Sequence, residues 1–190
     1  MWITRRLVVV VVAAMLMAVA CSSSPTSPGN TGTVNLMLKD TPFSDAKALL
    51  VTFSTVSAHV SGGDFTTLPF SGGASSRTCD LKKLTSAQDV LGTGPLATGH
   101  YTQLRLVVSN AALYFDNASQ GTACAATIAA PAGRVGSVTI PSGDLRLNRE
   151  FDVTSNTVTT ILLDFDGDQS VRETGNGFMM TPVITVVSVQ

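Results

Sequence analysis

The chain has 190 residues, of which 44% are hydrophobic and 13% charged, and its formal net charge is −1. This balance, with no cluster of lysine and arginine, argues against nucleic acid as a partner and against charge-driven binding to an anionic membrane surface. Three cysteines without a CxxC pair, together with only two histidines, give little basis for a zinc site. The length is sufficient for one domain with a real core.

The first 20 residues are predicted to be a lipoprotein signal peptide. Arg5 and Arg6 form a positive n-region, Leu7–Val19 is an apolar run of 13 residues, and the small residues before Cys21 resemble the lipobox of bacterial lipoproteins. In this interpretation Cys21 is acylated and becomes the new N-terminus. An uncleaved transmembrane helix is one alternative, although the run is short of the roughly 20 residues required. A simple signal peptide cleaved near Ala20 is the other.

Residues 21–32 are predicted to be the lipidated cysteine and a flexible Ser/Pro/Gly tether, and residues 33–190 a single domain. Removal of residues 1–20 takes two arginines and no acids, which leaves 10 basic and 13 acidic residues and a net charge of −3. Ser22 after the cysteine resembles lipoproteins that are sent to an outer membrane, if the source has one. We therefore expect an extracytoplasmic protein that is anchored to the cell membrane by its N-terminal lipid.

Alternating apolar residues predict strands through the first half of the domain. A half-buried strand at Val34–Lys39 is followed by Asp40, which with Asp45 is expected to be a turn or cap residue. In Leu49–Val60 the apolar phase switches near Ser54, as a β-bulge would cause. The segment Thr85–Leu91 is predicted to form a helical turn or two, with Thr85 as the N-cap and a glycine after it.

The second half of the domain continues this pattern. Pro95–Gly99 is predicted to be a turn, Tyr101–Ser109 is the clearest strand, and Thr157–Phe165 is another. Phe178–Val189 is a long β-branched run in which Pro182 indicates an edge or a bulge. About nine or ten short strands separated by turns predict an all-β sandwich or barrel.

An even pair of cysteines remains if Cys21 is lipidated. Outside the cytoplasm, Cys79 and Cys124 are expected to form a disulfide that closes a loop of about 45 residues, worth roughly 3–4 kcal/mol in the loop-entropy model. Both lie in polar segments rich in Gly, Ala and Ser, which favours two loops joined at one end of a sandwich. Two unpaired small hydrophobic residues are the alternative.

Asp164, Asp166 and Asp168 are the one group with a chemical hypothesis. Alternate carboxylates around a glycine can converge on a hard cation such as Ca²⁺. The spacing departs from an EF-hand loop because Gln169 stands where that loop requires glycine. The alternative is a polar strand end in which Phe165 packs inward and Asp168 hydrogen-bonds within the turn. No other cofactor is expected.

Catalytic motifs are not found in the sequence. There is no G-x-S-x-G elbow, and His59 and His100 are expected to be surface residues. Tyr101 is expected to be a corner tyrosine whose hydroxyl bonds to backbone. Tyr114 and Phe115 could offer an aromatic face to a sugar, and core packing explains them as well. We therefore expect a non-enzymatic binding or structural module at the cell envelope, with a polysaccharide or protein partner. A calcium-dependent adhesion module is the alternative, followed by an envelope hydrolase.

Five phrases taken together are similar to a known family. They are GTVNLMLKDTP at Gly32–Pro42, LATGHYTQLRLVV at Leu96–Val108, TIPSGDLRLN at Thr139–Asn148, TTILLDFDGDQSV at Thr159–Val171 and TGNGFMMTPVITVV at Thr174–Val187. Their order and spacing resemble the bacterial and archaeal secreted lipoproteins catalogued as domain of unknown function 4382. The resemblance implies an extracytoplasmic β-sandwich without assigned functional residues. The turn at Leu96–Tyr101 is also similar to the strand entry of prealbumin-like sandwiches, so a prealbumin-like or immunoglobulin-like sandwich is expected.

Overall fold

A computed structural model describes residues 30–41, 45–85 and 87–190. Two sheets pack face to face, which confirms the predicted all-β sandwich. The predicted signal peptide, Cys21 and most of the tether lie outside the described residues, so these remain predictions. Within the described ranges, each helix is too short or too polar to span a bilayer.

The regular structure of the described residues consists mainly of strands. In chain order they are β1 (Thr31–Thr41), β2 (Ala48–Val60), β3 (Phe65–Thr67), β4 (Arg77–Asp80), β5 (Asp89–Ala97), β6 (Gly99–Tyr114), β7 (Cys124–Ala125), β8 (Val135–Thr139), β9 (Asp144–Val153), β10 (Val158–Asp166), β11 (Val171–Thr174), β12 (Gly177–Met180) and β13 (Ile184–Val189). A single-turn helix, α1 (Gly167–Ser170), connects β10 to β11. The number of strands exceeds the prediction because several are only two to four residues long.

The smaller sheet has the strand order β13-β10-β1-β5. Its central strands β1 and β10 run parallel, in register from Thr33 opposite Val158 to Thr41 opposite Asp166. The larger sheet has the order β11-β12-β8-β6-β2-β4-β7, with β3 beside β2 and β9 beside β6. Strands β2 and β6 form its long antiparallel centre. Neither the parallel pair nor the division of strands between sheets was predicted.

The core lies between the two sheets and follows the alternation of the sequence. In β1 the side chains of Val34, Leu36 and Leu38 are fully buried, as the strand pattern predicts. The phase switch predicted near Ser54 is confirmed, because the register of β2 against β6 shifts between Phe53 and Thr55. Phe53 of β2 and Phe165 of β10 contribute large side chains to this core, and both are fully buried.

The helix predicted over Thr85–Leu91 is wrong. A 3₁₀ turn covers Leu81–Lys83 instead, and Asp89 already begins β5. The predicted turn at Pro95–Gly99 is shorter than expected, because β5 continues through Ala97 as the antiparallel neighbour of β1 and the chain bends only at Thr98, before β6 begins. The seven residues Thr85–Leu91 have little helical stability of their own, so the backbone hydrogen bonds that β1 offers decide their conformation.

The long strand predicted over Phe178–Val189 is divided in the structure. Its first part is β12, at one end of the larger sheet, and its second part is β13, an edge of the smaller sheet. Pro182 lies in the connection between them, where it has no strand hydrogen bond to donate. The β-branched composition therefore predicted the conformation correctly but not the change of sheet.

The two ends of the sandwich differ in what they carry. The chain enters at Thr31, next to Ala97 and Asn156. Strand β1 then spans roughly 33 Å of extended chain to the opposite end, where β2 begins. We call the first the entry end and the second the far end.

Candidate functional site

A groove with a volume of about 610 Å³ opens at the far end of the sandwich. It lies between β8 and the β11–β12 hairpin. Asp45, in the connection between β1 and β2, also lines it. Two aromatic rings, Phe115 and Phe178, line its apolar part, and Arg134 and Glu173 line its charged part.

The aromatic rings form the floor of the groove. Their centroids are 5.5 Å apart and their planes are tilted by 36°. Between them lies the backbone of Gly136, where an added Cβ would come within 2.9 Å of both rings. Glycine at this position therefore allows the rings to approach the strand closely and keeps the groove open. Next to the floor, Val135 has 53% of its surface exposed.

Arg134 is held in place by its surroundings. Its guanidinium carbon lies 4.9 Å from the centre of the Phe115 ring, within the range of a cation–π contact. Its backbone N–H donates to the Asp116 carboxylate at 2.6 Å, and its carbonyl accepts from the Phe115 N–H at 3.1 Å. The guanidinium is 3.9 Å from Asp116, so most of its donors still face solvent. This arginine is thus positioned beside the ring with hydrogen-bonding capacity to spare.

The hairpin of β11 and β12 supplies the other wall. Glu173 lies directly opposite Phe178 in the antiparallel register, so the two side chains share one face. Asn176 sits in the turn, followed by Gly177 with a φ of +131°, a backbone conformation that side-chain-bearing residues rarely adopt. A carboxylate and an amide therefore face the ring floor from this side.

The three aspartates of the calcium hypothesis have separate partners in the structure. Asp164 forms an ion pair with Lys39, with Oδ2 and Nζ 2.7 Å apart. Asp166 caps α1, because its side chain accepts a hydrogen bond from the Gln169 N–H at 2.9 Å. Asp168 is exposed in the first turn of α1. Among the described residues there is no group of three or more acidic, histidine or cysteine side chains arranged to hold a metal ion. The calcium hypothesis remains a prediction.

The prediction that Asp40 is a turn or cap residue is wrong. Asp40 is part of β1 and is only 5% exposed. One oxygen accepts from the Gly167 N–H at 3.2 Å, and the other has no hydrogen-bond partner among the described residues. Burial raises the pKa of this carboxyl to about 8, against the opposing effect of the Gly167 hydrogen bond. The aspartate that the sequence predicts at the end of a strand is therefore a buried acid.

The expected disulfide between Cys79 and Cys124 is present. The cysteines lie opposite each other on the short strands β4 and β7, and not in two loops as predicted. Asp89 accepts from the Cys124 N–H at 3.0 Å and from the buried Arg77 at 3.2 Å. Buried Asp80 accepts from the Ser119 hydroxyl at 2.6 Å. These polar contacts, with the disulfide, fix two strands that are too short to be stable alone.

Other predicted residues are located as follows. The Tyr101 hydroxyl donates to the Ala97 carbonyl at 2.9 Å, which confirms the corner tyrosine. Tyr114 is buried, whereas Phe115 reaches the groove. His100 is on the surface, with Asp152 at 2.9 Å. Of the groove residues, Phe115 was named from the sequence as an aromatic candidate and Asp45 only as a turn or cap residue. Arg134, Glu173 and Phe178 were missed as site residues.

Comparison with known proteins places the chain in a family. The chain matches no curated protein and no solved structure. The family model described as "Domain of unknown function (DUF4382)" matches residues 31–182. This is most of the chain and nearly all of the two sheets, and it agrees with the resemblance seen in the sequence. The chain therefore belongs to the DUF4382 family.

Proposed function

We propose that this protein is a non-catalytic binding module, tethered outside the cytoplasm through a lipid on Cys21, that holds a neutral polysaccharide of the cell envelope in the far-end groove. The observation that carries the proposal is the groove itself. Its half-buried aromatic floor is flanked by an arginine, a carboxylate and an amide.

The composition of the groove fits a sugar. The apolar face of a pyranose ring can pack against Phe178 and Phe115, whose rings give a large contact area at low entropic cost. Planar polar groups such as those of Arg134 and Glu173 can bind neighbouring hydroxyls in pairs. The charges of Arg134, Asp45 and Glu173 are of both signs, which favours a neutral ligand over a strongly charged one.

The position of the groove supports the tethered arrangement. The N-terminal segment joins the domain at Thr31, at the entry end, and β1 carries the chain roughly 33 Å to the far end. A lipid on Cys21 would place the entry end near the bilayer. The groove would then face away from the membrane, towards the polymers that surround it.

The binding half of the proposal is tested with the full chain, purified in a neutral detergent and applied to an array of neutral polysaccharides. We expect binding to at least one of them. Phe178→Ala should weaken it about tenfold, because stacking on an aromatic ring is worth roughly 1–3 kcal/mol. Gly136→Ala should weaken it too, because its Cβ would push both rings into the groove. Phe65→Ala, which removes an exposed ring elsewhere, is the matched control.

No binding across the array, or binding that Phe178→Ala leaves unchanged, would contradict the groove as the site. Turnover of a polysaccharide by the wild-type chain would contradict the non-catalytic role. Melting temperatures of all variants show whether a loss of binding comes from a loss of fold.

The tether is tested separately by labelling cells that express the full chain with radioactive palmitate. We expect label in the wild type and none in Cys21→Ala, because the thiol is the acylation site. Label retained in Cys21→Ala would contradict the anchor, and it would leave the groove experiment unaffected.

A further inference from the structure

A second surface of the larger sheet has the properties of a binding site. Strands β3, β2, β6 and β9 lie side by side, and their registers align outward-facing side chains in two rows. The first row is Phe65, His59, Gln103 and Asn148, and the second is Thr67, Ser57, Arg105 and Arg146. Asp144 follows on β9. We call these nine residues the outer platform.

The platform contains an exposed aromatic ring. Phe65, on β3, is 37% exposed, whereas Ala58 on the neighbouring strand β2 is buried in the core. Its ring packs against His59 with centroids 4.9 Å apart, and the Arg105 guanidinium carbon lies 6.0 Å from its centre. The ring is therefore held by neighbours on the sheet while part of its surface stays accessible to a ligand.

The polar side chains of the platform are oriented before any ligand arrives. Arg105 donates to both oxygens of Asp144, at 2.8 and 2.7 Å, and these hydrogen bonds hold the pKa of that carboxyl below its usual range. Gln103 donates its amide N–H to Asn148 at 2.6 Å. Side chains fixed in this way lose little conformational entropy when they bind.

The platform carries a surplus of positive charge. Asp144 is already occupied by Arg105, and Arg146 lies 3.8 Å from the same carboxylate with 61% of its side chain exposed. Two arginines therefore share one carboxylate, although the charge of the whole chain is slightly negative. Further along β9 the sign changes, because Glu150 and Asp152 surround His100. An acidic ligand would therefore be favoured at the Arg146 side of the platform.

We propose that the outer platform binds an acidic polysaccharide, with Phe65 stacked on a sugar ring and Arg146 paired with a carboxylate or sulfate group of the polymer. Four adjacent strands span about 14 Å, which accommodates several sugar units of an extended chain. A flat face suits an extended polymer, whereas the concave far-end groove suits a shorter or terminal unit. The outer platform contains no groove residue, so this proposal does not depend on the proposed function.

The test uses the full chain in neutral detergent, passed over immobilised polygalacturonate, dextran sulfate and uncharged dextran. We expect binding to at least one acidic polymer, with affinity falling as salt is raised, whereas any binding to uncharged dextran should be unaffected by the platform variants. Phe65→Ala and Arg146→Ala should each weaken binding to the acidic polymer about tenfold. Arg146→Lys should retain part of it. Arg172→Ala removes an exposed arginine from β11, outside both the outer platform and the groove lining, and is the matched control, expected to bind as the wild type does.

Three results would overturn the proposal. The first is no binding to either acidic polymer. The second is binding that Arg172→Ala weakens as much as Arg146→Ala, which would show a general charge effect. The third is binding to vesicles of anionic phospholipid in place of both polymers, which would assign the platform to a membrane surface. Phe65 and Arg146 are exposed, so both variants are expected to melt as the wild type does.

Discussion

Replacement of the buried acid Asp40 by asparagine should change how stability depends on pH. In the folded protein the pKa of Asp40 is raised to about 8, chiefly by burial, from the ordinary value of 3.8 that we assume for the unfolded chain. Hydrogen bonding from Gly167 opposes the shift, Asp164 and Asp166 add to it, and Lys82 opposes it. Between pH 4 and 8 the folded state therefore holds a proton that the unfolded chain releases.

The magnitude follows from linkage. Because the folded state binds more protons in this window, the free energy of unfolding falls as pH rises, by about 1.4 kcal/mol per pH unit. Between pH 5 and 8 the loss is on the order of 4 kcal/mol, a large part of the 5–15 kcal/mol typical of a domain. Asparagine has the same shape, can accept from the Gly167 N–H in the same way, and does not ionise. The advantage of Asp40→Asn over the wild type should therefore grow by that amount across the window.

The assay is urea unfolding of the full chain and of Asp40→Asn at intervals from pH 5 to 9, in a chelating buffer that removes divalent cations. Asp168→Asn, which removes an exposed carboxyl nearby, is the control and should run parallel to the wild type. The difference between the two curves is the quantity of interest, because it cancels the contributions that the two chains share. If the curves of Asp40→Asn and the wild type run parallel, the carboxyl is not a buried, protonated acid and the reasoning fails.

Three further results are expected. Replacement of Cys79 and Cys124 by alanine should lower the free energy of unfolding by roughly 3–4 kcal/mol, as measured by urea unfolding; an unchanged midpoint would show that the two short strands need no cross-link. Tyr101→Phe should lower the free energy of unfolding by about 1 kcal/mol in the same assay, because it removes the hydrogen bond to the Ala97 carbonyl. An unchanged free energy would show that only the packing of the ring stabilises this corner. The calcium hypothesis predicts heat on titration of the full chain and a higher melting temperature, both lost in Asp168→Asn; absence of both would remove it.

The strands that could be predicted are those whose side chains alternate. Val34, Leu36 and Leu38 in β1 and the phase switch in β2 follow from the two-residue period of a strand, which is a local property. The helix at Thr85–Leu91 was wrong because pairing with β1 is a tertiary interaction that the local sequence does not contain. The same applies to the parallel neighbours β1 and β10, which are more than a hundred residues apart in the chain.

The groove was largely beyond sequence reasoning. Its residues come from four separate segments, near Asp45, Phe115, Arg134 and Phe178, and only the sheet pairings bring them together. Phe115 is a candidate because it is aromatic, but the pattern of apolar residues around it does not show that its side chain reaches a groove. A glycine within a strand, such as Gly136, is the one local sign of a close approach, and it does not identify the partner.

The parallel pairing of β1 with β10 bears on how the domain would resist mechanical load. A pull between the N-terminal segment and an object held at the far end acts along β1, which has β10 on one side and β5 on the other. The hydrogen bonds on both flanks would then be stretched in shear, all together, and not opened one after another as in an unzipping hairpin. A chain built in this way is suited to transmit tension without unravelling.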